Sequence, residues 1–144
     1  MPQVELSESV PLPIDRAWAL VSDLSRYGEW LTLLDGWRGE LPSELASGTR
    51  VSAVIKAKGI RNRVTFTVGE FDPPHRVSLV GEGVGGTGVT MTFRLREAGS
   101  STDVAFDVDF RHPALRGPMN AIAARTIKGD LVASLARLRA LETA

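Results

Sequence analysis

The stretch Val10-Pro11-Leu12-Pro13-Ile14-Asp15-Arg16-Ala17-Trp18-Ala19-Leu20-Val21-Ser22-Asp23, running on to Tyr27-Gly28-Glu29-Trp30-Leu31, decides how this chain is read. An extended segment stops at two prolines, a short helix follows, and a broken helical turn ends in an aromatic. Proline suits the first turn of a helix because its missing N–H has no intrahelical partner there. Asp15 then places negative charge where the helix dipole favours it. Ala17, Trp18, Leu20 and Val21 supply a buried stripe. Ser22-Asp23 ends the helix and caps the next turn.

Toward the N-terminus, Val4, Leu6 and Val10 share one face of an extended segment, and Glu5, Ser7 and Ser9 share the other. A period of two marks a half-buried strand. Glu8 falls on the apolar face by strict alternation. Either the strand bends there or a carboxylate points inward, where desolvation would make it a candidate acid or base. A first strand at a sheet edge favours a solvated Glu8.

Toward the C-terminus, residues 35–50 carry Trp37, Gly39, Pro42 and Gly48, which predict a short strand and a turn. Four alternating rows follow: Val51, Ala53, Ile55 and Ala57; Val64, Phe66 and Val68; Val89, Met91, Phe93 and Leu95; Val104, Phe106, Val108 and Phe110. Arg76-Val77-Ser78-Leu79-Val80 lies between the second and third. Threonines and charged residues occupy the opposite faces, so the pattern predicts an antiparallel meander with one face covered. A hairpin across residues 97–102 would set Arg94 and Arg96 beside Asp103 and Asp107 on the outer face. The cover is a predicted helix over about residues 118–141. Its stripe of Met119, Ile122, Thr126 or Ile127, Leu131, Leu135 and Leu138 recurs at steps of three and four. At the helical rise it spans roughly 35 Å, enough to cross a sheet.

With 144 residues the chain reads as one domain over 1–144. Its 17 basic and 17 acidic side chains balance, which gives no basic footprint for nucleic acid. No cysteine is present, so disulfides, thiolate metal sites and a cysteine nucleophile are excluded. The sequence has no membrane-length apolar run, no signal peptide is expected from its first residues, and a cytoplasmic location is expected.

Candidates for chemistry are few. Gly83-x-Gly85-x-x-Gly88 matches a dinucleotide fingerprint in spacing, but a strand pattern follows it where a helix is required. A flexible hairpin loop is the expected reading, and no cofactor is expected. His75 and His112 are the only histidines, and isolated as they are they do not make a metal site. Either would serve as a general base only if the fold brought it to a pocket mouth. Glu29, Asp35, Glu40 and Glu82 lie near predicted loops and read as ordinary surface charge. No catalytic residue is assigned and no metal is expected.

The Pro-rich start before a Trp-bearing helix, followed by Tyr27-Gly28-Glu29-Trp30, resembles the SRPBCC or START-like superfamily of polyketide cyclases, dehydrases and lipid-transfer proteins. The resemblance covers the whole chain. A narrower likeness is to an actinobacterial subgroup with a mycobacterial member described as the toxin of a type II toxin–antitoxin pair. It is carried by Glu29-Trp30-Leu31-Thr32, Trp37-Arg38, Leu41-Pro42, Lys58-Gly59, Asn62-Arg63, residues 81–86, Pro113-Ala114-Leu115 and Gly117-Pro118. The implied fold is α+β, a helix-grip of about seven curved antiparallel strands wrapped around a long C-terminal helix, with two short helices after strand 1. The implied function is binding of a hydrophobic small molecule, lipid or polyketide-like, between sheet and helix. Toxin action with an antitoxin partner, a homodimer and a cyclase- or dehydrase-type enzyme are the alternatives. The expected cavity residues are Trp30, Leu34, Phe66, Met91, Phe93, Phe106, Val108, Met119 and Ile122, with Arg125 beside the stripe.

Overall fold

The computed structural model describes residues 3–32, 34–39, 41, 46–57, 60–111 and 118–141. β1 (Gln3–Val10) leads into α1 (Ile14–Ser22), a short 3₁₀ turn and α2 (Tyr27–Trp30). Six further strands follow: β2 (Leu34–Arg38), β3 (Arg50–Ala57), β4 (Ile60–Asp72), β5 (Arg76–Gly83), β6 (Gly88–Ala98) and β7 (Ser101–Arg111). The chain closes with α3 (Pro118–Leu141). The seven strands form one antiparallel sheet in the order β1-β7-β6-β5-β4-β3-β2. This is the α+β helix-grip arrangement that the strand rows and the terminal helix predict.

The opening stretch folds as its residues dictate. The carbonyl of Pro13 accepts from the amides of Arg16 and Ala17, which starts α1 without a side-chain cap. Asp23 ends that helix, and its carboxylate accepts from the amide and hydroxyl of Ser25. Trp18 packs on Phe71 with ring centroids 5.9 Å apart. The hydroxyl of Thr102, on β7, donates to the carbonyl of Leu12 at 2.8 Å and ties the turn before α1 to the sheet.

Alternation puts Val64, Phe66 and Val68 on the inner face of β4, with Val89, Met91, Phe93 and Leu95 on β6 and Val104, Phe106 and Val108 on β7, all buried. Two irregularities switch the parity elsewhere. The β2–β3 register slips between Leu34 and Gly36, so Leu34 pairs with Ile55 and Trp37 with Ala53. Both partners are inward, so Leu34 and Trp37 face inward too, although an odd spacing separates them. A second slip, between Val68 and Phe71, lets Phe71 reach the inner face opposite Val77. Gly81 lies opposite Phe66, and a Cβ there would come within 2.7 Å of the Phe66 ring and 2.5 Å of Val64. Glycine at this position is therefore a packing requirement.

The outer face carries the expected charge pairs. Arg94 meets Asp107 at 3.4 Å and Arg96 meets Asp103 at 3.1 Å. The exposed Arg96–Asp103 pair contributes at most about 1 kcal/mol, whereas the Asp107 carboxylate is largely buried.

Candidate functional site

The space of interest lies between the inner face of the sheet and α3. α3 is held at two places. Near its C-terminal end, Arg139 pairs with Glu8 at 3.1 Å. At its middle, the amide of Thr32 donates to the Ser134 hydroxyl at 3.0 Å, and the Thr32 hydroxyl donates to the Asp130 carboxylate at 2.7 Å. Along this stretch of the helix Ile127, Leu131, Ser134, Leu135 and Leu138 are all buried. They repeat at helical spacing and form the sealing face.

One turn toward the N-terminus, that same face presents Ala123 and Ala124. They precede Ile127 by four and three residues, yet both are only partly buried. Two more inner-face residues, Leu34 and Phe110, are likewise only partly buried. Leu34 is at the start of β2 and Phe110 near the end of β7, and antiparallel pairing brings both to one end of the sheet. Asn62, paired with Ile55 at that end, is half-buried at inner-face parity. The first half of α3 thus carries small, partly buried side chains on the face that Ile127 and Leu131 continue.

An aromatic cluster packs between α2 and the inner face of the sheet. Phe93 and Phe106 stack at 4.4 Å, and Trp30 stands edge-on to them at 5.7 and 6.3 Å. Tyr27 lies 5.0 Å from Trp30. Its hydroxyl donates to the carbonyl of Val21. Burial, reinforced by the charge of Asp23, pushes the Tyr27 phenol far above its ordinary range. Trp37 closes the flank, its indole N–H donating to the Leu24 carbonyl at 2.7 Å.

Of the expected cavity residues, Trp30, Phe66, Met91, Phe93, Phe106 and Val108 are buried on the inner side, and Leu34 is partly buried at the start of β2. Met119 and Ile122 stand apart from them, 43% and 38% exposed. The buried stripe of α3 therefore differs from the expected one at its first two positions. Met119 and Ile122 align with Thr126 on the flank of α3, while Ile127 takes the sealing face. Ser134 and the alanines at 123 and 124 belong to the inner face although apolar periodicity does not mark them. Arg125 is exposed.

The strand carrying Glu8 runs without a bulge, which gives Glu8 inner-face parity, but at the sheet edge its carboxylate stays partly solvated and pairs with Arg139. Glu29 pairs with Arg26 and Asp35 with Arg61. His75 is exposed in the β4–β5 turn. His112 and Glu40 lie outside the described residues. The glycine run forms a β5–β6 connection with Gly85 and Gly86 at φ of 70° and 81°, and a strand follows it. Among the described residues no three His, Cys, Asp or Glu side chains gather as metal ligands. No described helix is long and apolar enough to cross a membrane. The polar depressions of about 360 and 450 Å³ lie on the outer face of the sheet, away from this space.

Residues 1–141 match the family model described as polyketide cyclase / dehydrase and lipid transport. An uncharacterised protein of Mycobacterium tuberculosis, Rv1546, is 46% identical over 137 residues, covering 94% of each chain. A second protein of that organism, named Toxin Rv0910, is 39% identical over 135 residues, again covering 94% of each. Among solved structures, the Zhui aromatase/cyclase from Streptomyces sp. R1128 superposes with a TM-score of 0.77 at 16% identity, covering 96% of this chain and 91% of that one. At that identity the likeness is one of fold.

Proposed function

The chain belongs to the polyketide cyclase/dehydrase and lipid transport family, and from that premise we propose that it binds a hydrophobic small molecule, lipid or polyketide-like, between the sheet and the first half of α3. The observation that carries this reading is the change along one face of α3. Ile127, Leu131 and Leu138 are no more than 2% exposed, whereas Ala123 and Ala124 on the same face are partly open. A concave apolar wall with few polar groups is the usual form of a small-molecule site. Trp30, Phe66, Met91, Phe93, Phe106 and Val108 would supply the wall, Leu34 the mouth, and Met119 and Ile122 the rim.

An acid–base mechanism finds little support. The carboxylate of Glu8 is neutralised by Arg139, and Asp130 is engaged by Thr32. The reading is therefore one of a carrier or receptor. Titration with an environment-sensitive apolar fluorophore tests it. Saturable one-to-one binding with a blue shift, reversed by a competing apolar compound, is expected. An unchanged emission spectrum at saturating protein would overturn it.

A second reading rests on the relative named as a toxin: toxin action countered by an antitoxin partner. Growth arrest on induced expression, relieved by a co-expressed neighbouring gene, would favour it. Unchanged growth would argue against it.

A further inference from the structure

Trp30 is 0% exposed, and among the described residues its indole N–H has no hydrogen-bond acceptor. A buried donor is almost always satisfied, so each exception calls for a physical reason. The immediate surroundings are aromatic. Phe93 and Phe106 stand at 74° and 71° to the indole plane, and ring faces accept an N–H only weakly. The other two tryptophans differ. Trp37 donates to a carbonyl, and Trp18 lies at the half-buried edge of the fold. Trp30 is also two residues before Thr32, which binds Ser134 and Asp130 on α3. The residue that carries the orphan donor thus ends α2, packs its ring on the inner-face aromatics, and lies two residues from the tie to α3.

We infer that the Trp30 indole N–H is the polar anchor of the ligand site, and that it selects an apolar molecule carrying a neutral carbonyl oxygen. This rests on the small-molecule reading above and narrows it. An indole nitrogen only donates, so its partner must accept. A neutral acceptor is favoured over a carboxylate because the surroundings are aromatic and apolar, and the ionisable group that α3 brings to the neighbouring Thr32 is a carboxyl, Asp130, not a cation. An anion buried without a cation is heavily penalised. The high pKa of Tyr27, whose ring touches Trp30, reports the same resistance to negative charge.

The test uses fluorene, 9-fluorenone and fluorene-9-carboxylate, which share one tricyclic frame. Calorimetric titration of the full chain is expected to rank fluorenone above fluorene by about threefold to tenfold, the range of one net hydrogen bond. The carboxylate is expected to bind more weakly than fluorenone. In Trp30→Phe the ratio of fluorenone to fluorene affinity should fall to about one, whatever the substitution does to the two affinities together. Proton–nitrogen NMR of the unmodified chain supplies a readout that needs no variant. The Trp30 indole resonance should move downfield with fluorenone and not with fluorene. Equal affinity for the two, with an unmoved indole resonance, is what a buried water on the nitrogen would give, and it overturns this inference alone. Tightest binding of the carboxylate also overturns it. Failure of all three compounds to bind overturns both this inference and the small-molecule reading beneath it.

Discussion

Ala124→Leu tests the packing of α3 in a way that gives opposite signs under opposite accounts. Ala124 precedes Ile127 by three residues and Leu131 by seven, and those two residues are 2% and 0% exposed. A leucine at 124 therefore points along the sealing face toward the open end of the sheet. It adds three carbons. At about 0.8 kcal/mol per buried methylene the gain reaches about 2.4 kcal/mol if all are covered. Fixing the leucine rotamer costs about 0.5–1 kcal/mol. The net expectation is a stabilisation of about 1.5 kcal/mol, or about 3–6 °C in Tm for a chain of this size. Filling the space should also weaken apolar probe binding at least about tenfold, since the new side chain occupies volume the probe needs. Thermal unfolding followed by circular dichroism reads the first effect and fluorophore titration the second. Leu131→Ala is the control, and its loss of about 2–5 kcal/mol marks the sealed half of the helix. The reasoning fails if Ala124→Leu destabilises by about 1–3 kcal/mol, the cost of overpacking a filled core, and leaves probe affinity unchanged.

Tyr27 is the one tyrosine in the chain, so phenolate absorbance reports it alone. Its folded-state pKa is raised, so its contribution to stability is fully present below about pH 10 and is lost as pH climbs beyond that. An alkaline titration should show no phenolate until the fold is lost; a smooth titration near the ordinary value of 10.0 with the fold intact contradicts the burial. Gly81→Ala should cost about 1–3 kcal/mol in urea unfolding, because the added Cβ meets Val64 and Phe66. Ser134→Ala leaves the Thr32 amide without its acceptor and should cost about 1–3 kcal/mol, with faster hydrogen exchange at Thr32. Glu8→Gln removes a partly solvated pair and should change stability by no more than about 1 kcal/mol.

The strands were legible because a period of two records which face is buried, and β6 and β7 keep that period from Val89 to Phe110. Legibility fails where the period breaks. Bulges at Asp35 and at Gly69-Glu70 carry Trp37 and Phe71 to the inner face, and nothing in the residue types announces the switch in parity. The terminal helix shows the opposite difficulty. Its apolar residues mark a stripe through Met119 and Ile122, yet the sheet-facing positions there are Ala123 and Ala124. A face that leaves room is built from small residues, and small residues carry no hydrophobic signal. The Glu8–Arg139 pair was half legible: alternation placed the carboxylate inward, but its partner is 131 residues away in sequence. The Trp30 anchor was visible as an aromatic and invisible as a donor without an acceptor, since that property belongs to the packed surroundings.

The central claim is that the open half of α3 covers a ligand site. Native mass spectrometry of the purified chain, titrated with 9-fluorenone and compared with Ala124→Leu, addresses it most directly. The account predicts a discrete one-to-one adduct with the native chain, greatly reduced in the variant. A native chain that carries no adduct, or a variant that carries it equally well, contradicts the account.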